Sequence, residues 1–121
     1  MAIFKTFEEI TAWQKSHALA LELYQITNSS ALAKDFALRD QMRRSAISIP
    51  SNIAEGHERN SDKQFCYFLN VAKASAGELR SQFRLAHDLG YIQSSDYNRL
   101  KEQSIEVSRL ISGLMKYLKK A

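Results

Sequence analysis

The spacing of the apolar residues constrains the fold of this chain more than any other feature. Over four stretches of about 20 residues, apolar side chains recur every three or four positions, as they do on one face of an α-helix. The connections between these stretches are short, and short connections place consecutive helices side by side in opposite directions. The pattern therefore predicts an all-α fold, an up-down-up-down antiparallel four-helix bundle that forms a single domain over residues 1–121.

The first predicted helix begins at Thr6, because Thr6 and Glu9 have the spacing of an N-terminal capping box. Two apolar stripes follow along this helix. We take the broader stripe as its main face, so that His17 within it is expected to be partly buried. The narrower stripe contains Leu19, Leu23 and Ile26. The broader stripe contains Ile10, Trp13, His17, Ala20, Leu21 and Tyr24.

Capping residues also mark the other helices. The second helix is predicted to begin near Asp35 and to end at Gly56, in the left-handed conformation that glycine adopts easily. Ser61 and Gln64 form a second capping box, which predicts the start of the third helix. Gly90 is predicted to end the third helix, and a pair of serines begins the fourth.

The only proline of the chain, Pro50, lies inside the apolar period of the second helix. Proline lacks a backbone N–H and clashes with the carbonyl group four residues earlier, which costs about 3 kcal/mol inside a helix. The apolar period nevertheless continues past it. We therefore predict one helix that is kinked at Pro50, with the hydroxyl group of Ser45 or Ser48 compensating for the lost hydrogen bond. The alternative is a break at Ile49 followed by a short separate helix.

The predicted helices carry more apolar surface than a single bundle needs. A helix of a four-helix bundle buries one stripe, and further apolar faces commonly pack against another molecule. We therefore predict a homo-oligomer whose interface uses the second and third helices. A monomer with wide, tightly packed stripes is the alternative. The predicted interface residues are Ile47, Pro50, Ala54, Tyr67, Val71 and Ala74.

Composition and charge exclude several classes of protein. Cys66 is the only cysteine, so an intrachain disulfide and a cysteine-based zinc site are impossible, and a lone thiol fits a reducing cytoplasm. No stretch approaches the roughly 20 apolar residues of a membrane span, and no signal peptide is recognisable. These features predict a cytoplasmic protein without a membrane partner. The formal net charge of +4 permits binding to a polyanion.

No pattern of catalytic or metal-ligating residues stands out. The Glu-x-x-His motif of di-metal bundles is missing, so we predict no metal, no cofactor and no small-molecule substrate. Arg80 and His87 share a helical face at the spacing seen in helical HEPN-type ribonucleases, where an arginine binds phosphate and a histidine transfers a proton. Such pairs arise often by chance, and the alternative is an arginine and a histidine that flank the edge of the core.

Two rows of basic residues are candidates for contacting phosphate groups. One row follows the second predicted helix, and the other follows one edge of the third. Acidic neighbours such as Asp40, Glu55 and Glu58 are close enough to neutralise much of the first row. The candidate nucleic-acid-binding residues are Arg39, Arg43, Arg44, Arg59, Lys63, Arg80 and Arg84, with Lys73 beside the last two.

The chain resembles a known bacterial family at three places: QMRRSAISIPSNIAEG (residues 41–56), the helix start at residues 61–68, and AKASAGEL (residues 72–79). This family comprises the four-helix-bundle proteins encoded within intervening sequences of 23S rRNA. The resemblance extends over essentially the whole chain, and it implies a pentameric assembly and no known catalytic activity. A related branch, the accessory proteins of diversity-generating retroelements, is strongly basic and binds nucleic acid.

The resemblance also marks particular residues, several of which we expect to be structural. Asn52 and Ser75 are expected to form hydrogen bonds between helices, and Glu55 or Glu78 is expected to pair with Arg43 or Arg44. The marked positions are Arg43, Ser48, Pro50, Asn52, Glu55, Gly56, Ser75 and Glu78.

The sequence and the resemblance together predict a non-enzymatic, homo-oligomeric helical bundle that binds RNA or an RNA–protein assembly through basic surface residues. A scaffold or protein-interaction module without affinity for nucleic acid is the first alternative. A HEPN-like ribonuclease that uses Arg80 and His87 is the second.

Overall fold

Residues 3–120 are described by a computed structural model, apart from the side chain of Ser30. Met1, Ala2 and Ala121, at the ends of the predicted domain, lie outside the described residues. The four long helices confirm the predicted all-α bundle, whereas a short fifth helix was not predicted. A 3₁₀ turn at Phe7–Glu9 precedes α1 (Thr11–Thr27), α2 (Ser30–Lys34), α3 (Phe36–His57), α4 (Asp62–Asp88) and α5 (Ser94–Lys120).

The four long helices form a ring in which each helix contacts two neighbours. α3 packs against α1 and α4, and α5 packs against α4 and α1. Neighbouring helices are antiparallel, because Ser45 and Ser48 of α3 contact Glu78 and Ser75 of α4 in reverse order. Contacts of α5 with α4 and with α1 run in reverse order as well. The chain is therefore an up-down-up-down bundle.

The apolar core lies at the centre of this ring. Leu23 of α1, Ile49 and Ile53 of α3, Leu79 of α4 and Ile111 of α5 are completely buried. Helical spacing places such residues on one face of each helix, where they meet across the ring. Full burial of an aliphatic side chain contributes about 1.5–3 kcal/mol, so these stripes supply the main driving force for folding.

The core face of α1 is the narrower of its two predicted stripes. Leu23 is buried, whereas Leu21 and Tyr24 of the broader stripe are exposed. His17 is exposed as well, and its ring stacks on that of Trp13 with the centroids 4.7 Å apart. The prediction of a main face with a partly buried His17 is therefore wrong for most of the broader stripe. Both stripes have helical spacing, and only the position of α1 between α3 and α5 selects one of them.

The chain enters α1 through the 3₁₀ turn and not through a capping box. Thr6 precedes this turn, and its side chain makes no capping hydrogen bond to the described residues. The carboxylate of Glu9, the predicted partner, accepts instead from the amide of Lys5 at 2.9 Å. The prediction that the first helix begins at Thr6 is therefore wrong, and α1 begins at Thr11.

Three of the other predicted helix boundaries are confirmed. The carboxylate of Asp35 accepts from the amide of Leu38 at 3.1 Å at the start of α3. The hydroxyl of Ser61 accepts from the amide of Gln64 at 3.2 Å at the start of α4. Gly90 follows the end of α4 with a φ of 80°, the left-handed conformation in which glycine closes a helix.

Gly56 has a different role from the predicted one. It is buried inside α3, and the left-handed residue after this helix is Asn60, with a φ of 60°. A Cβ atom at Gly56 would lie 2.9 Å from side-chain atoms of both Phe65 and Phe68. Glycine is therefore needed at this position because α4 approaches the backbone of α3 closely.

α3 continues through Pro50 without interruption. The predicted single helix is confirmed, the alternative break at Ile49 is wrong, and the kink stays a prediction. The hydroxyl groups of Ser45 and Ser48 do not take the predicted role at the proline, since both bond across to α4.

Candidate nucleic-acid interface

Arg43, which was predicted to contact nucleic acid, connects α3 to the end of α1. Its Nε donates to Oγ1 of Thr27 at 2.8 Å, and its Nη2 donates to Oδ1 of Asn28 at 2.9 Å. Its guanidinium group also lies 4.6 Å from the centre of the Tyr24 ring, within the range of a cation–π interaction. These contacts give Arg43 a structural role and occupy two of its five N–H donors.

Two further arginines of the row along the second predicted helix are paired within the chain. Arg39 lies 2.9 Å from a carboxylate oxygen of Asp40, and Arg59 lies 2.7 Å from one of Glu55. The predicted neutralisation of this row by acidic neighbours is thus confirmed for both arginines. Two residues of the set are exposed and form no ion pair with the described carboxylates: Arg44 and Lys63.

The polar family positions connect α3 to α4. The Oγ atoms of Ser48 and Ser75 are 2.7 Å apart, which confirms the predicted role of Ser75. Asn52 donates to the carbonyl group and the hydroxyl group of Ser48 in its own helix, so its predicted contact with another helix is wrong. Glu78 accepts from Ser45 at 2.8 Å.

The predicted pairing of Glu55 or Glu78 with Arg43 or Arg44 is wrong. Glu55 pairs with Arg59, one turn away along α3. Arg43 is twelve residues from Glu55, which corresponds to about 18 Å along a helix and is too far for an ion pair.

A basic furrow lies between α4 and α5, and we call it the α4–α5 furrow. Two adjoining hollows, of about 350 and 270 Å³, form it and share Lys73 and Ser112. Of the predicted binding residues, only Arg80 lines these hollows, beside Lys73. The lining residues are Lys73 and Arg80 of α4 and Ile105, Ser108, Arg109, Ser112, Met115, Lys116 and Lys119 of α5.

The five cations of the α4–α5 furrow are not neutralised. Within residues 3–120, none of them forms an ion pair, whereas Glu106 of α5 pairs with Lys15 on the side that faces α1. All except Arg80 are exposed. The chain has 17 lysines and arginines against 13 acidic residues, so 12 basic and 13 acidic residues remain outside these five cations. The α4–α5 furrow is therefore a local cluster of unpaired positive charge on a chain that is otherwise nearly neutral.

The floor of the furrow contains two buried donors without partners. Nη1 of Arg80 and Oγ of Ser108 are shielded from solvent, and neither forms a hydrogen bond with the described residues. Unpaired donors are unusual in a folded chain, because burying one without a partner costs about 1–3 kcal/mol. Partnerless donors on residues that line a cationic hollow provide the chemistry of an oxyanion site once their side chains turn toward it.

Arg84 and His87 form a separate cluster at the far end of α4. Hydrogen bonds with Tyr97 and Asp88 raise the pKa of the Arg84 guanidinium above its ordinary value. His87 contacts Asp88 through Nδ1 at 3.1 Å and Ser94 through Nε2 at 3.0 Å. Both ring nitrogens are thus engaged.

Arg80 lines a hollow of the α4–α5 furrow, and His87 is not among the residues that line that hollow. The ribonuclease-like pair, in which an arginine holds a phosphate beside a histidine that transfers a proton, stays a prediction.

An apolar groove lies on the opposite side of the ring, and we call it the α1–α3 groove. It encloses about 410 Å³ and contains the exposed stripe of α1 together with three of the predicted interface residues. The other three, Tyr67, Val71 and Ala74, lie on the outer face of α4. The lining residues are Phe7, Trp13, His17, Ala20, Leu21, Tyr24, Ile47, Pro50, Ser51 and Ala54.

The described part of the chain contains neither a metal-binding cluster nor a helix that could span a membrane. Across residues 3–120, no group of three histidine, cysteine, aspartate or glutamate side chains is placed to hold a metal ion. In the same part of the chain, none of the helices combines the length and the apolar character needed to cross a bilayer.

The contribution of α5 to the basic furrow was not predicted. Arg109, Lys116 and Lys119 follow one another at spacings of seven and three, so they share one side of the helix. This periodic signal was present, but it did not reveal which helix α5 would face. The packing of α5 against α4 places these residues beside Lys73 and Arg80.

Comparisons with known proteins agree with this fold. A crystal structure of a protein with unknown function from the S23 ribosomal protein family of Bacteroides thetaiotaomicron VPI-5482 is 26% identical in sequence and superposes with a TM-score of 0.81. The match covers 87% of this chain and 95% of that one. None of the curated protein sequences matches. The family model of the 23S rRNA-intervening sequence protein matches residues 8–113, and the chain therefore belongs to the 23S rRNA-intervening sequence protein family.

Proposed function

We propose that this protein is a non-enzymatic, homo-oligomeric helical bundle that binds RNA through the α4–α5 furrow. The observation that carries the proposal is the concentration of five unpaired cations on one face of an otherwise nearly neutral molecule. Clustered lysines and arginines bind nucleic acid by neutralising phosphates and releasing counterions. The family name, which refers to 23S rRNA, supports RNA as the polyanion.

The length of the furrow fits a nucleic-acid strand. On α5 the cations extend from Arg109 to Lys119, ten residues that span about 15 Å of helix. A strand of a duplex carries one phosphate per 3.4 Å of helix axis, so such a row is long enough to contact more than one phosphate. Serines and an isoleucine line the furrow between the charges and can contact sugars and bases.

A salt titration with paired charge variants tests this proposal. Binding of a labelled single-stranded RNA is followed by fluorescence anisotropy over a range of salt concentrations. Lys116→Ala/Lys119→Ala removes two furrow charges and should lower the slope of log K against log salt by about 1.4. Arg44→Ala/Lys63→Ala removes the same charge from the unpaired residues outside the furrow and should leave the slope unchanged.

Three outcomes would contradict the proposal. If the salt slope fell equally in the two double variants, the interface would not be confined to the furrow. Binding that is absent or independent of salt would favour the scaffold alternative. Cleavage of the RNA that is lost in His87→Ala would overturn the non-enzymatic part of the proposal.

The proposal of a homo-oligomer is based on exposed apolar surface. Leu21 and Ile47 of the α1–α3 groove are 57% and 44% exposed, and Tyr67 on the outer face of α4 is 64% exposed. Two different apolar surfaces on one chain suit a head-to-tail contact between copies, which closes into a ring when the rotation permits. The family resemblance implies five copies.

Light scattering coupled to gel filtration tests this assembly. Leu21→Glu places a charge in the groove and should reduce the measured mass, whereas Tyr117→Glu changes a comparably exposed residue of α5 and should not. A wild-type protein that remains a monomer at micromolar concentration would refute self-association.

A further inference from the structure

The floor of the α4–α5 furrow differs chemically from its rim. Lys73, Arg109, Lys116 and Lys119 are exposed, so water surrounds their charges. Arg80 is half-buried, and its Nη1 is enclosed without a hydrogen-bond partner among the described residues. Arg80 and Ser108 both line the hollow of about 350 Å³, and the hydroxyl of Ser108 is shielded from solvent as well.

Ser108 is unusual because its hydroxyl lacks the hydrogen bond that a helical serine commonly forms. A serine inside a helix commonly donates to a carbonyl group of the preceding turn, as Ser104 does to Lys101 at 2.7 Å. Ser108, one turn further along α5, forms no hydrogen bond with the described residues. Ser108 and Arg80 line the same hollow, and each has a shielded donor without a partner among the described residues, which a rotation of the side chain can turn toward a bound group.

We propose that Arg80 and Ser108 form a subsite that holds one internal phosphodiester group of the bound RNA, with Lys73 and Arg109 on either side. Guanidinium geometry matches two oxygens of a phosphate at once, and a hydroxyl donates to a third position. The exposed lysines supply charge without this directionality. The proposal of a subsite rests on the proposed RNA-binding function. The subsite adds one directional contact to a surface whose other charges attract phosphate without fixing its position.

Conservative variants separate the subsite from the general charge of the furrow. Arg80→Lys keeps the positive charge but loses the two-pronged donor, and Ser108→Ala loses only the hydroxyl. Each should weaken RNA binding about tenfold, the effect of one hydrogen bond to a charged group, with the salt slope unchanged. Arg99→Lys, at an arginine of α5 that pairs with Glu22 and Asp96, and Ser81→Ala are controls outside the hollow and should retain wild-type affinity.

A comparison of phosphate sources tests the assignment to an internal phosphodiester. RNA of one sequence, with either a 5′-phosphate or a 5′-hydroxyl group, should bind equally well, and inorganic phosphate at constant ionic strength should compete only weakly. A preference for the 5′-phosphate that disappears in Arg80→Lys would overturn the internal assignment.

The stability of the free protein distinguishes a binding role of Arg80 from a structural one. Arg80→Met keeps the length of the side chain and removes a half-buried charge without an ion-pair partner among the described residues, so it should leave the unfolding midpoint unchanged or raise it while RNA affinity falls. RNA binding by the wild type with no change in Arg80→Lys and Ser108→Ala would refute the subsite alone. If the wild type showed no salt-dependent RNA binding, the proposed function itself would be refuted.

Discussion

Replacing Gly56 with alanine tests the close packing of α3 on α4. The substituted Cβ atom would lie 2.9 Å from Cδ1 of Phe65 and 2.9 Å from Cβ of Phe68. It would also lie 3.2 Å from the carbonyl oxygen of Phe65, which the helix holds in place. Gly113 in α5 is the matched control, because a Cβ atom there meets no other atom within 4 Å.

The expected effects of the two substitutions have opposite signs. Alanine is favoured over glycine by about 1 kcal/mol in a helix interior, so Gly113→Ala should stabilise the protein by about that amount. Overpacking of a well-packed site costs about 1–3 kcal/mol. Gly56→Ala should therefore lower the free energy of unfolding by about 1 kcal/mol after the gain in helix propensity is included. The two variants should differ by about 2 kcal/mol.

Urea unfolding followed by far-ultraviolet circular dichroism measures this difference. With a denaturant dependence of about 2 kcal/mol per molar urea, the midpoints of the two variants should lie about 1 M apart. Protein concentration is held fixed, since the stability of an oligomer depends on it. If Gly56→Ala unfolded at or above the wild-type midpoint, the inferred close approach of α3 and α4 at this glycine would be wrong.

Two further predictions concern Arg43 and Tyr91. Arg43→Met should lower the free energy of unfolding by about 2 kcal/mol, because it loses the hydrogen bonds to Thr27 and Asn28. Substitution of the exposed Arg44 by Met should change the free energy of unfolding by less than about 0.5 kcal/mol. Chemical denaturation of both variants measures this contrast. The hydrogen bond to Asp35 raises the pKa of Tyr91, so its contribution to stability is complete below the unfolded pKa of about 10 and is lost as the pH rises through the folded pKa. In urea unfolding at pH values of about 9 and 11, Tyr91→Phe should lose less stability on alkalinisation than the wild type, and equal losses would contradict this role.

The bundle could be predicted from the sequence because its signals are local. Asp35, Ser61 and Gly90 act through atoms a few residues away, and each was assigned correctly. The face of α1 could not be predicted, since two stripes with the same period lie on this helix. Gly56 was misassigned for a similar reason, because the atoms that require a glycine there belong to α4.

The candidate site could be predicted only in part, because it lies between two helices. Arg80 was correctly included in the basic set, but Arg39, Arg43 and Arg59 proved to be held by groups of the chain itself. Local sequence indicated the carboxylates beside Arg39 and Arg59. The partners of Arg43 are on another segment of the chain, at the end of α1, so no local signal identified them.

The order of the helices in the ring relates the two proposed surfaces to each other. α1 neighbours α3, and α4 neighbours α5, so the apolar α1–α3 groove and the basic α4–α5 furrow lie on opposite sides of the bundle. A second copy that covers Leu21 and Ile47 therefore does not cover Arg80 or Lys116. Charges that remain exposed in every copy of an assembly act together on one long polyanion, since linked sites bind more tightly than single ones. Disrupting the assembly with Leu21→Glu should consequently weaken binding to a long RNA more than binding to a short one.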